Sequence, residues 1–364
     1  MRLLYVVGAR PNFMKVAPLM RETARRGSRF EQVLVHTGQH YDFNMSEVFF
    51  KQLGMPAPDH FLAVSGGNHT EQTAHTMLKL HGVNDEVSPD LVVVVGDTNS
   101  TLAAALVAAK YPVPVAHVEA GLRSRDREMP EETNRIIVDH ISDYLFTPSR
   151  DGNENLASEG IPSEKVFFVG NVMIDSLVTC LDMVPPIPAI PGAELQAHEY
   201  AVLTLHRPSN VDEPGQLRSI LGAIAKIAER SKVVFPLHPR TRARIEAAGM
   251  GDLLKPLTVV EPLGYLDFLS LTRSANLVLT DSGGLQEETT YLGVPCLTLR
   301  ENTERPVTVT DGTNSVIGTN PDRIVAEAMD ALENRHREPR KVPALWDGHT
   351  SERILDVLES HAAR

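Results

Sequence analysis

Cysteine is almost missing from this chain: Cys180 and Cys296 are its only two in 364 residues. Two thiols cannot form a disulfide framework or a multi-cysteine metal site. Positive charge is also short. Lys and Arg total 35 against 47 Asp and Glu, a formal net charge of −12. That balance disfavours broad contact with nucleic acid or an anionic membrane, both of which need positive surface. An anionic small molecule stays open, provided local cations or backbone dipoles overcome the global field. Long apolar runs are absent as well. No stretch approaches the roughly 18–20 apolar residues of a membrane span, and Leu3–Val7 is too short for the apolar region of a signal peptide. The expected location is the cytoplasm. What is there is a globular composition, 42% hydrophobic and 23% charged, in a chain long enough for two domains.

Short apolar runs alternate with longer segments of helical period. The pattern predicts strands over Leu3–Val7, Gln32–His36, Leu91–Val95, Val113–Val118 and Val166–Val169. Helices are expected near 15–26, 70–81, 99–110, 131–142 and 172–182. Leu91–Val95 reads LVVVV without polar alternation, as a parallel strand covered on both faces does. A proline-dense stretch, 183–192, cannot be a helix interior and is the linker candidate. Beyond it, strands are expected near 201–205, 232–236, 257–260, 276–280 and 294–298. Helices are expected near 214–230, 239–248, 264–273, 284–292 and 321–334, and a last amphipathic segment, 350–361, has no strand after it. The reading is α/β: two doubly wound, Rossmann-like domains, 1–170 and 171–348. In such sheets ligands bind beyond the carboxyl ends of the strands.

The residues at those ends are informative. GARPNFMK (8–15) brings Arg10 and Lys15 to a helix N-terminus, a place that suits phosphate, although solvated cations on a turn fit as well. It is neither a dinucleotide fingerprint nor a Walker A loop. GDTNST (96–101) sets Asp97 at a strand tip, as a helix cap or as a catalytic group. HVEAGLRS (117–124) sets Glu119 at the next tip. MPEETNR (129–135) opens a helix with Glu131 and Glu132, and Arg135 follows one turn later. This is either a dipole-stabilised helix start with an i,i+4 ion pair worth about 0.2–0.5 kcal/mol, or part of a carboxylate cluster. Clustered carboxylates repel, raise at least one pKa and supply general acids or bases.

In the second half, TLHRPSNVD (204–212) presents His206 and Arg207, and PLHPRTR (236–242) presents His238 and Arg240. Two such ends on neighbouring strands favour ligand contact over structural histidines. In TDSGGLQEETTYLGVPCL (280–297) a strand runs into Ser-Gly-Gly and a helix. The amides of Ser282, Gly283 and Gly284 can reach a diphosphate with no side chain in the way. Glu287 and Glu288, one turn on, offer a carboxylate to ribose hydroxyls.

Taken in order, GARPNFMK, GQHYD, GDTNST, HVEAGLRS, PEETNR, LHRPSN, DSGGLQEE and TERP resemble the non-hydrolysing UDP-N-acetylglucosamine (UDP-GlcNAc) 2-epimerases, from Gly8 to about Gly318. The resemblance implies a GT-B type fold with a UDP-sugar in the interdomain cleft and no metal or nicotinamide cofactor. It also implies a homodimer, and a C-terminal helix, about 349–364, packing back on the N-terminal domain. The implied reaction eliminates UDP to leave 2-acetamidoglucal, then re-adds it with the C2 proton on the other face. By position, Asp97, Glu119 and Glu131 resemble the family's proton-transfer group, and His206 the residue protonating or holding the departing phosphate. Arg10, Lys15, Ser282, Gly283 and Gly284 resemble the diphosphate pocket, with Glu288 on the ribose. Arg135 and His238 match positions near sugar and nucleotide. Phe268 matches an aromatic near the nucleotide, with a core phenylalanine as the alternative.

Many bacterial members are activated by UDP-GlcNAc in a second pocket. Gln39, His40 and Arg207 match that pattern as a possible allosteric remnant, while Asp42, His75 and Pro208 depart from it. Two cations are lost or weakened there, since arginine is usual at the last two. Three rival readings are a GT-B glycosyltransferase, a catalytically silent UDP-sugar sensor, and an epimerase of a modified sugar such as a 2,3-diacetamido uronate. The joint presence of Asp97, Glu119 and Glu131 argues against the first two. The third stays open.

Overall fold

The computed structural model describes residues 1–38, 50, 53–185, 189–190, 193–334 and 342–362. Residues 1–179 with 344–364 form one compact unit, and 180–343 form a second.

In unit 1, β1 (Arg2–Val7), β2 (Glu31–His36), β3 (His60–Phe61), β4 (Leu91–Val95), β5 (Val115–Val118), β6 (Tyr144–Thr147) and β7 (Val166–Phe168) make one sheet, ordered β3-β2-β1-β4-β5-β6-β7. Every pairing is parallel, as with Val6 against Val94 and Val95 against Val118. All five residues of β4 are buried, which explains its unbroken apolar run. The connecting helices are α1 (Arg10–Arg25), α2 (His69–Val87), α3 (Asn99–Lys110), α4 (Pro130–Ile141), α5 (Arg150–Ser158) and α6 (Val172–Leu181). Small residues let α3 pack closely between α2 and α4, burying Ala103, Ala104, Ala105 and Ala108.

Unit 2 repeats the scheme with β8 (Tyr200–Thr204), β9 (Lys232–Pro236), β10 (Thr258–Val260), β11 (Leu277–Thr280), β12 (Cys296–Thr298) and β13 (Asn314–Val316). Its parallel sheet is ordered β10-β9-β8-β11-β12-β13. The helices are α7 (Pro214–Ala228), α8 (Pro239–Ala247), α9 (Tyr265–Arg273), α10 (Gly283–Leu292) and α11 (Pro321–Asn334), with single turns at Pro208–Val211 and Val307–Thr310. Leu203, Ile224, Phe235 and Leu279 are fully buried in its core, each worth about 1.5–3 kcal/mol relative to exposure.

The chain then returns to unit 1 as α12 (Thr350–Ala362). Trp346 Nε1 donates to the Pro148 carbonyl at 2.9 Å. Asp175 of α6 caps α12 from outside, accepting from the Thr350 and Ser351 amides at 3.1 and 2.7 Å. Arg26, at the C-cap of α1, pairs with Asp356 and Glu359 at 2.7 and 2.9 Å. With Asp175 so committed, and Ser176 donating to the Met14 carbonyl, most of α6 packs in unit 1 and the division falls within that helix. Of the proline-dense stretch, 186–188 and 191–192 lie outside the described residues, while Ile190 bridges to Ala193. No helix among the described residues is long and apolar enough to cross a membrane.

Strand order reverses between β1 and β4 in unit 1 and between β8 and β11 in unit 2. Those two points are where an open parallel sheet leaves a crevice for ligands.

Candidate active site

At the unit 1 reversal, Asn12 ties the loop after β1 to the end of β4. Its side-chain oxygen accepts from the Gly8 and Ala9 amides at 3.1 and 3.0 Å, and its Nδ2 donates to the Val95 carbonyl at 3.0 Å. One turn into α1, Lys15 Nζ forms a buried ion pair with Glu119. A methyl group at Gly96 would lie 2.8 Å from that Nζ and 3.5 Å from Glu119 Oε2. Gly96 also has φ +66°, so glycine answers both a close approach and a left-handed turn. Glu119 itself has φ +73°, a conformation that residues with side chains seldom adopt.

Thr98, not Asp97, caps α3, accepting from the Thr101 amide at 3.3 Å. The Asp97 carboxylate is thereby left for Arg135, which it meets as an ion pair. Arg135 is buried and also holds Glu132 at 2.5 Å, an i,i+3 contact in place of the expected i,i+4 pair with Glu131. Glu132 accepts from the Ser124 amide and hydroxyl, both at 2.9 Å, and from the Arg125 amide at 2.8 Å. Burial opposes its charge, but these amides and Arg135 outweigh it and hold the carboxyl below the usual range. Glu131 stands partly exposed in the first turn of α4. Bare repulsion between carboxylates, one expectation from the sequence, does not describe Asp97 and Glu119. Each faces its own cation. Arg10 opens α1, and its side chain lies outside the described residues.

At the unit 2 reversal, fully buried Asp281 accepts from the His206 and Arg207 amides at 3.0 and 2.9 Å and meets His206 Nδ1 at 2.8 Å. Burial works against its charge, but these partners win and keep its carboxyl below the ordinary range. An ionised carboxylate only accepts, so Nδ1–H donates and Nε2 is the nitrogen left for a ligand. The imidazole is 45% exposed.

Ser282 precedes α10, and its amide donates to Thr280 Oγ1 at 2.9 Å. Of the three amides expected to be open, Gly283 and Gly284 therefore remain as helix-start donors. Arg305 lies against them: a methyl at Gly283 would sit 2.7 Å from its Nη1. Arg305 pairs with Glu287 at 3.0 Å and approaches Glu304 at 3.7 Å, while Glu304 meets Arg300 at 2.9 Å and Arg207 at 3.5 Å. Burial opposes the Glu304 charge, yet Arg305 and Arg300 draw its carboxyl down to about 2. Reasoning from the sequence misses Arg305, although TERP contains it.

Glu288 is buried and accepts from the Tyr265 hydroxyl at 3.2 Å. Burial raises its pKa to about 7, with Glu287 adding to the rise and Tyr265 opposing it. His238 is exposed and caps α8, accepting from the Arg240 amide at 3.2 Å. Phe268 packs, partly buried, against the core of its unit. Gln39, His40 and Asp42 lie outside the described residues. Among the described residues no three His, Cys, Asp or Glu side chains converge as a metal site would need.

The arrangement offers paired carboxylates in one unit and a phosphate-type cradle in the other. A family model for UDP-N-acetylglucosamine 2-epimerase matches residues 22–359. The chain belongs to the UDP-N-acetylglucosamine 2-epimerase family. These enzymes are isomerases. A UDP-N-acetylglucosamine 2-epimerase from Methanocaldococcus jannaschii is 41% identical over 366 residues, spanning 98% of this chain and 99% of that one. A structure of the M. jannaschii epimerase in complex with UDP-GlcNAc and UDP matches with a TM-score of 0.88 over 99% of this chain and 100% of that chain, at 40% identity. The Neisseria meningitidis epimerase bound to UDP-GlcNAc matches with a TM-score of 0.90 over 99% and 100% of the two chains, at 31% identity. Epimerases of this family share the GT-B type fold of two parallel-sheet α/β domains. A UDP-2,3-diacetamido-2,3-dideoxy-D-glucuronate 2-epimerase from Pseudomonas aeruginosa is 42% identical over 362 residues, 98% of this chain and 99% of that one.

Proposed function

We propose that this epimerase interconverts UDP-GlcNAc and UDP-N-acetylmannosamine by eliminating and re-adding UDP. The observation that carries the reading is the pair of ion pairs at neighbouring strand tips, Lys15–Glu119 and Arg135–Asp97, with Glu131 on the adjoining helix. C2 of the sugar is not an acidic centre, so proton loss is coupled to departure of UDP. The C1–O bond breaks with its electron pair going to the β-phosphate oxygen. A carboxylate takes the C2 proton, and the C–H electrons form the C1=C2 bond of 2-acetamidoglucal. On return, UDP adds to C1 while a proton reaches the opposite face of C2. Two faces call for two proton-handling groups, drawn from Asp97, Glu119 and Glu131. All the electrons stay within the substrate pair, so the route calls for no nicotinamide.

In this reading unit 2 takes the nucleotide. The Gly283 and Gly284 amides, with Arg305, spread the charge of the departing diphosphate, and His206, when protonated on Nε2 as well as Nδ1, donates to it. Asp281 holds His206 in the orientation that allows this. Glu288 accepts the ribose hydroxyls. Arg10 and the Ser282 hydroxyl add to the diphosphate contacts, and His238 and Phe268 to those of sugar and base. Incubation with UDP-GlcNAc in D₂O tests the reading. Deuterium at C2 and formation of the manno epimer, without any acceptor, are expected. Recovery of unlabelled substrate alone overturns it.

The P. aeruginosa relative favours a second reading, epimerisation of a UDP-2,3-diacetamido uronate. The kcat/KM values for the two substrates, measured side by side, decide between them. The remaining expectations are a cytoplasmic homodimer feeding cell-surface polysaccharide synthesis, and light scattering checks the dimer.

A further inference from the structure

The epimerase mechanism above leaves a buried polar chain in unit 1 unused. His117 of β5, fully buried, stands two residues before Glu119. Its Nε2 lies 2.8 Å from the Gly96 carbonyl and its Nδ1 lies 2.7 Å from Asp139 Oδ1. Burial opposes the charge of Asp139, but His117 and Arg123 outweigh it and keep the carboxyl ionised. A carbonyl and a carboxylate only accept, so the ring donates on both sides. The other Asp139 oxygen accepts from the Gly121 amide at 3.1 Å and pairs with Arg123 at 2.7 Å. Arg123 continues to Glu159 at 2.7 Å.

These contacts span both strand tips that carry the acids. Gly96 adjoins Asp97, and Gly121 follows Glu119 by two residues. Gly96 and Gly121 take φ values of +66° and +80° as glycine readily does, whereas Glu119, at +73°, is strained and needs its surroundings to hold it. The Lys15 ammonium packs against Gly96 on the way to Glu119, so tilting the Gly96–Asp97 peptide disturbs both ion pairs together.

We propose that His117 is a positioning residue for epimerisation: its bond to the Gly96 carbonyl, anchored on Asp139, sets Asp97 and Glu119 in mutual register for proton transfer at the two faces of C2. The inference rests on the epimerase reading, and the deuterium exchange of the unaltered enzyme is measured first. If that exchange is absent, the reading fails before any variant is made.

Two substitutions then separate positioning from plain core packing. An asparagine side chain ends at the reach of Nδ1, so H117N keeps the Asp139 contact and loses Gly96. A glutamine reaches as far as Nε2, so H117Q keeps Gly96 and loosens Asp139. H117N is expected to lose about 10²-fold in kcat, with KM and UDP affinity within about twofold of the unaltered enzyme. H117Q is expected to recover to within about fivefold. Equal impairment of both, or kcat in H117N within about threefold of normal, overturns the proposal. Should H117N fail to fold, R123K loosens the outer end of the chain. It is expected to lower kcat about fivefold with UDP affinity unchanged, and a normal kcat there overturns the proposal equally.

Discussion

At the reversal of strand order, unit 1 presents Asp97 and Glu119, each met by a cation, whereas unit 2 presents Arg305 and His206, each met by a carboxylate. The topology at the two places is alike and the charge pattern is inverted. In unit 1 the cations lock the acids in place, which suits groups that must exchange protons in fixed geometry. In unit 2 Arg207, Arg300 and Arg305 gather around Glu304 and end at a helix start, which suits a bound anion. A chain with net charge −12 thus gathers arginines where one sheet needs them. The fold says where a ligand goes; the side chains say which end of it.

The largest effect expected from that contrast lies in unit 1. Asp97→Asn, Glu119→Gln and Glu131→Gln should each lower kcat at least ~10²-fold, the scale of general acid–base groups, while UDP affinity by calorimetry stays nearly constant. Near-normal turnover in any two of the three would break the assignment of proton chemistry to unit 1. Next comes Arg305→Ala, expected to weaken UDP by about 10–10²-fold through loss of a charge-assisted contact of ~1.5–3 kcal/mol. Gly283→Ala should act in the same direction, because its new methyl meets the Arg305 guanidinium. Unchanged UDP binding in both would erase the division of labour.

A smaller effect follows from Glu288, whose pKa is raised to about 7 by burial. Ribose hydroxyls donate to an ionised carboxylate, so binding selects the deprotonated form. Affinity for UDP should therefore rise about tenfold between pH 6 and pH 8, and Glu288→Gln should remove that rise. The phosphate of UDP titrates identically against both proteins, so the difference between them is the measurement. The smallest expected effect is a missing one. With Pro208 and His75 in place of arginines, the reverse reaction from pure UDP-N-acetylmannosamine should start without a lag. Arg240, the neighbouring arginine, pairs with Asp212 at 2.5 Å. A pronounced lag abolished by trace UDP-GlcNAc would show a working second pocket.

Strong, long periodicities were legible in the sequence. β4, β9, α3 and α11 lie where apolar pattern alone predicts them. Weaker signals were not. β6 is four residues, YLFT, following α4 with hardly a break, and β3 and β13 are shorter still. α5 reads RDGNENLAS and buries only Gly152 and Leu156, so it carries almost no apolar stripe. At the sites, residue types at strand ends pointed to the right loops, because a doubly wound sheet leaves little choice. Pairing was hidden. That Arg135 holds Glu132 and Asp97, or that Thr280 occupies the Ser282 amide, depends on side-chain reach in three dimensions.

The return of the chain to unit 1 also bears on how the protein is made. Residues 180–343 emerge from the ribosome as a contiguous folding unit, but unit 1 lacks α12 until residues beyond 350 have been synthesised. At ~5–20 residues per second the wait is about 10–40 s. During it Asp175 has no helix amides to cap and Arg26 lacks two acidic partners. Unit 1 is therefore the one that stays incomplete longest during translation. Clipping near residue 345 should expose unit 1 to proteolysis before it affects unit 2.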